Sequence, residues 1–192
     1  MSKGRLEAFS DGVLAIIITI MVLEMKVPHS AEWSALKPIV PVFLSYAMSF
    51  VYLAIYWNNH HHMLHMTRTT SGGILWANLH LLFWLSLVPF VTGWMGENNF
   101  AAVPTAAYGV VLLLAAIAYW ILQSAIIRSQ GDDSPLAKAI QGDLKGKGSI
   151  VLYSAAIAIA FWEHRAAIAI YVFVALVWIV PDRRIERHAS SS

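Results

Sequence analysis

Cysteine is missing from the chain altogether, which excludes disulfides, thiolate metal sites and cysteine nucleophiles and says nothing of redox compartment. Charge is scarce too: Asp, Glu, Lys and Arg make up 12% of the residues, where about a quarter is usual in a soluble domain. A net charge of +2 is too small to point to nucleic acid. There is no glycine-rich phosphate loop, no G-x-S-x-G elbow and no H-E-x-x-H pair, so no enzymatic activity is expected. A cleaved leader is not expected either. Lys3 and Arg5 are followed by Glu7 and Asp11, which interrupt any signal-peptide layout.

What fills the space is apolar. Hydrophobic residues account for 58% of the 192 positions, which points to one compact membrane domain. Segment lengths and flanks predict helices over 5–25, 39–63, 74–95, 102–128, 144–162 and 166–181, with a disordered serine-rich tail over 183–192. Pro38 and Pro41 fall at or before the first turn of the second helix, Pro104 opens the fourth, and Pro89 lies inside the third. The last two segments have short apolar cores and need polar flanks to complete a crossing. The hydrophilic stretch 129–149 reads as a flexible linker, although Ser134-Pro135 has the form of a cap for a short helix.

Basic residues set an orientation. With the N-terminus inside, Lys3, Arg5, Arg68, Arg128, Lys138, Lys145, Lys147, Arg183, Arg184 and Arg187 lie on the cytoplasmic side, and only Lys26, Lys37 and Arg165 lie outside. That bias predicts cytoplasmic termini. Trp33, Trp57, Trp94, Trp162 and Trp178 fall near segment ends, as an interfacial aromatic belt requires.

The first helix is the anomaly. Its unbroken apolar part, 12–23, is preceded by Arg5, Glu7, Ser10 and Asp11. An Asp inside a membrane helix costs about 2.5–3.5 kcal/mol on insertion scales unless protein or water surrounds it, so the helix is expected inside a bundle. At about 100° per residue, Ile16, Thr19, Ile20 and Leu23 share a stripe with Phe9 and Gly12, while Asp11 points roughly 140° from Ile16. One face is therefore an aliphatic row broken by a hydroxyl, and the other is expected to bury the Asp11 carboxylate among neighbouring helices. The second helix ends in His60, His61, His62 and His65. His61 and His65 are one turn apart, but no cysteine or nearby carboxylate completes a zinc site, so neither metal nor cofactor is expected. A T-V-G-Y-G filter and an arginine-rich voltage sensor are both absent.

Arg5-x-x-x-Phe9-Ser10-Asp11, leading into an aliphatic first helix, resembles the signature of the lysosomal potassium-channel family, transmembrane protein 175, in its prokaryotic branch. The layout of six segments, with Trp57 and a His-rich run on the second and Asn78 and Pro89-Phe90 on the third, is similar too. The resemblance implies an all-α polytopic membrane protein of six transmembrane helices per subunit, forming a homotetramer in the cell membrane. Potassium would pass a central pore lined by four first helices. It implies a constriction at Ile16, Ile20 and Leu23 and a selectivity layer at Thr19. It further implies an inter-helix network of Arg5, Phe9, Ser10 and Asp11 with a histidine of the 60–62 run, taken as His61 or His62, and with Trp76 or Asn78. The competing reading is a secondary transporter or proton pathway using Asp11, Glu7 and the His60–His65 cluster.

Overall fold

The computed structural model describes residues 2–131, 133–139 and 144–179, and among them every regular element is helical. Helix α1 is Lys3–Leu23, and a 3-10 turn at Trp33–Ile39 leads straight into α2, Val40–His65. Then come α3 at Gly72–Ser86, α4 at Val88–Glu97, α5 at Ala102–Gln130, the one-turn α6 at Pro135–Ala139, α7 at Leu144–Ile159 and α8 at His164–Ile179. Among the described residues four stretches are long and apolar enough to cross a membrane: Lys3–Leu23, Trp33–His65, Gly72–Glu97 and Ala102–Gln130. Helices α7 and α8, with 16 described residues each, reach about 24 Å, less than the roughly 30 Å of a bilayer core.

The third hydrophobic segment is not one helix. Pro89 has no N–H for the carbonyl of Leu85, and the ladder breaks at Leu87 between α3 and α4. The two pieces still make a single bent crossing. The 129–149 linker also differs from expectation, because Pro135–Ala139 is helical and the Ser134 hydroxyl accepts from the Ala137 N–H at 3.3 Å. The tail expected over 183–192 lies outside the described residues.

Side-chain bonds fix which ends lie together. The Lys3 ammonium donates to the His65 carbonyl at 2.7 Å, placing the start of α1 beside the end of α2. At the opposite end Lys26 pairs with Glu97 at 3.1 Å, joining the far ends of α1 and α4. The Trp178 indole donates to Ser149 Oγ at 2.8 Å, so the start of α7 meets the end of α8. The chain thus runs up and down six times, and the start of α1 and the end of α8 share one end of the bundle, called here the first end.

Helix α5 is the spine, packed against α3, α4, α7 and α8. Buried hydroxyls inside the bundle are bonded in sequence, as an apolar surrounding demands. Tyr108 donates to Ser49 at 3.0 Å, Ser49 to Thr92 at 2.6 Å, and Thr92 to the Val88 carbonyl at 2.6 Å. Tyr52 donates to the Tyr171 carbonyl at 2.6 Å, and Tyr171 in turn to the Thr105 carbonyl at 3.1 Å. Gly109 lets the Tyr171 ring lie directly on α5, where a Cβ would collide with it.

Candidate functional site

Helix α1 packs against α2, α3 and α4 along one side only. Leu6, Ser10, Leu14, Ile17 and Met21 form that buried side, at the three- and four-residue spacing of a helix face. On the other side Phe9, Gly12, Ile16, Thr19, Ile20 and Leu23 are all exposed. Ile16 is 63% exposed, Ile20 42% and Leu23 79%. The stripe that sequence periodicity picks out is therefore the face that a single chain leaves uncovered. In a membrane an aliphatic row of this kind is met by lipid or by another chain, and this one differs from the other exposed apolar faces in carrying the Thr19 hydroxyl.

Thr19 has a particular disposition on that face. Its hydroxyl donates back to the Ala15 carbonyl at 2.9 Å and lies 3.1 Å from that of Ile16. With the proton committed to the helix backbone, the oxygen is left as an acceptor on the exposed side.

The buried side is pinned by a polar relay, although a different one from that expected. Ser10 and Asn78 are both fully buried. Asn78 Nδ2 donates to Ser10 Oγ at 3.0 Å, and Ser10 donates to the Leu6 carbonyl at 2.9 Å. His60 Nε2 donates to Asn78 Oδ1 at 2.7 Å, which fixes its proton on Nε2. The histidine in contact is thus His60, in place of His61 or His62. His60 follows buried Leu53 by seven residues and precedes buried Met63 and Leu64 by one turn, a pattern that marks it as the inward member of the run. Trp76 is 76% exposed and has no hydrogen bond to the relay, since two residues of helix turn it about 200° away from Asn78.

Asp11 also differs from expectation. It is half-buried at the edge of the packed side, about 100° round the helix from its centre, and does not enter the core. Its Oδ1 accepts from the Trp57 indole N–H at 3.0 Å. Trp57 near a segment end suits an interfacial anchor, and that position alone gives no sign of a carboxylate partner. From Trp57 a column of rings runs down α2. His61 stacks on Trp57 at 6.1 Å between centroids, and His65 stacks on His61 at 6.3 Å. His62 meets His61 edge-on at 5.7 Å. Glu7 sits 3.8 Å from Lys3 at the same end. Arg5 and Phe9, placed in the network by resemblance, are exposed on the uncovered side of α1 and make no ion pair or hydrogen bond to the relay among the described residues. No group of three or more His, Asp or Glu suited to a metal ion occurs among the described residues.

Comparison with known proteins bears on the same helices. The family model described as the endosomal/lysosomal potassium channel TMEM175 matches residues 5–89, the part of the chain that holds every residue of the stripe and the relay. A potassium channel of Chryseobacterium sp. (strain P1-3) is 56% identical over 187 residues, covering 97% of each chain. The crystal structure of a lysosomal potassium-selective channel TMEM175 homolog from Chamaesiphon minutus superposes with a TM-score of 0.83 at 28% identity, over 94% of this chain and 97% of that one. The endosomal/lysosomal proton channel TMEM175 of Danio rerio is 37% identical over 96 residues, which span 43% of this chain and 18% of the fish protein.

Proposed function

The chain belongs to the TMEM175 potassium-channel family, and on that premise we propose that it conducts potassium along the uncovered face of α1. One observation carries the reading: Ile16, Thr19, Ile20 and Leu23 form a continuous exposed stripe on a helix whose opposite side is locked by Ser10, Asn78 and His60. Four chains, each turning this stripe to a common axis, enclose a path with no lipid contact. Ile16, Ile20 and Leu23 make its apolar constriction, which closes by excluding water and offers an ion no ligands. Thr19 supplies the polar layer. Its proton is held by the α1 backbone, so four hydroxyl oxygens present lone pairs to a cation. A layer this sparse selects potassium over sodium less sharply than a ring of backbone carbonyls does. In the cell membrane the first end faces the cytoplasm, because Lys3, Arg5, Arg68, Arg128, Lys138, Lys145 and Lys147 gather there while Lys26, Lys37 and Arg165 lie at the other.

The test is ion flux from purified protein in liposomes, with potassium and sodium gradients compared. Ile16→Asn, which wets the constriction, should raise flux, and Thr19→Ala should lower the preference for potassium. If neither substitution alters flux, the pore does not run along this face. A second reading, a proton pathway, is favoured by the ring column Trp57–His61–His65 beside Asp11 and Glu7, and by the proton-channel relatives. Flux that saturates and follows a pH gradient without a potassium gradient would select it.

A further inference from the structure

Where α1 leaves the apolar layer, opposite the first end, one carboxylate is left over. Glu24 follows Leu23 directly, is the residue on which α1 ends, and stands exposed. It makes no ion pair among the described residues. The last turn of α1 holds no basic residue to answer it. Lys26, the next basic residue along the chain, is drawn aside, with its ammonium 3.1 Å from Glu97 at the end of α4. Beyond it, Glu32 and Lys37 are of opposite sign. The segment that follows the stripe therefore carries an unanswered negative charge, and Glu24 is where it sits.

Position gives this charge its effect. At 1.5 Å per residue, Glu24 stands about 12 Å along α1 from Ile16 and one residue beyond Leu23. Its side chain leaves the helix about 100° round from that of Leu23, so it borders the stripe without filling it. A charge acts through its field, however, over about 10 Å at 0.1 M salt and about 30 Å at 0.01 M. The backbone adds to the same sign, because α1 turns its C-terminus, the negative pole of the helix dipole, toward this end.

We infer that the Glu24 carboxylates of four chains form a ring that concentrates cations at the mouth beyond Leu23, and that Glu97 assists by holding Lys26 from cancelling it. The inference rests on the pore reading given above. Carboxylate rings favour the entry of cations by raising their local concentration. Potassium and sodium gain alike from such a ring. It sets how many cations reach the constriction, while Ile16, Thr19, Ile20 and Leu23 set which of them pass.

The test is current through the full chain reconstituted in bilayers of uncharged lipid at pH 8, where ordinary histidines are neutral. Conductance is compared at about 0.01 M and about 1 M potassium chloride, where the field reaches far and hardly at all. Glu24→Gln should lower it about threefold or more at low salt, leave it unchanged at high salt, and leave the potassium-to-sodium ratio as it was. No loss at low salt, or a loss equally large at both, overturns the ring. Glu97→Gln, which frees Lys26, should lower low-salt conductance too; an unchanged value strikes out the part given to Glu97. The chain has no cysteine, so Glu24→Cys allows charge to be added to channels already assembled. A methanethiosulfonate bearing a sulfonate should restore low-salt conductance, and one bearing a trimethylammonium should lower it further. Labelling without either response overturns the ring, whatever Glu24→Gln does to folding. Ile16→Asn is measured alongside. If it raises current while the Glu24 variants are silent, the ring alone fails; if Ile16→Asn and Thr19→Ala are both silent, the pore reading fails and the ring with it.

Discussion

At residue 78 a single amide holds two helices to a third. Asn78 on α3 gives its N–H to Ser10 on α1 and takes the His60 N–H from α2, so each of its polar atoms is spent. Removing either neighbour strands one buried group, at about 1–3 kcal/mol. Removing Asn78 itself unties α1 from both. Asn78→Ala should therefore lower the thermal midpoint of the detergent-solubilised protein further than Ser10→Ala does, as followed by tryptophan fluorescence. A larger drop for Ser10→Ala would mean that the serine is held by contacts other than this relay. How far the relay is legible in the sequence depends on the residue. Ser10 and Asn78 stand out as polar positions in apolar helices. His60 is harder, since three histidines in a row present every face of α2, and only the spacing from Leu53 to Met63 and Leu64 singles it out. Asp11 misleads because charge argues for deep burial, whereas an indole at the helix edge satisfies it half-way out.

Helices show the same division between what pattern reveals and what contact decides. The two faces of α1 follow from period and composition, and the outward face emerges as the aliphatic stripe. Asp11 points to the packed side from period alone, although in the fold it lies only at the edge of that side. The break between α3 and α4 has its cause in Pro89 and was visible as a proline, yet a bent crossing and a straight one have the same length and hydropathy. Close approach between helices is less legible still. Gly109 reads as one small residue in an apolar run, while in the fold it is the floor on which Tyr171 lies. Gly109→Ala should push that ring aside and break its bond to the Thr105 carbonyl, costing about 1–3 kcal/mol by overpacking. In the double variant with Tyr171→Phe, where the clashing hydroxyl is gone, the loss should be smaller than the sum of the two. Additive losses, measured as thermal midpoints, would show that the ring has room to move.

For the whole molecule the decisive feature is what one chain leaves undone. Its core closes around α5, its buried hydroxyls are paired, and still the aliphatic side of α1 has no cover. On the proposed reading the described helices pack among themselves, and the conducting path forms only when further copies meet along this face. That asymmetry could be anticipated from composition only in part: scarcity of charge points to a membrane, but the number of chains around an axis is a property of surfaces, which hydropathy does not resolve.

Six crossings also return the chain to the side on which it started. The end of α8 can be tied to the start of α1 in a second copy by a polar tether that never enters the bilayer. A tandem fusion of two copies should therefore insert and conduct as the separate chains do, with two fused molecules replacing four; loss of flux from correctly inserted tandems would mean that the shared end is already occupied. Duplication of such a gene is topologically free. An unit with five crossings would have its second copy inverted, and its pore stripes would run in opposite directions.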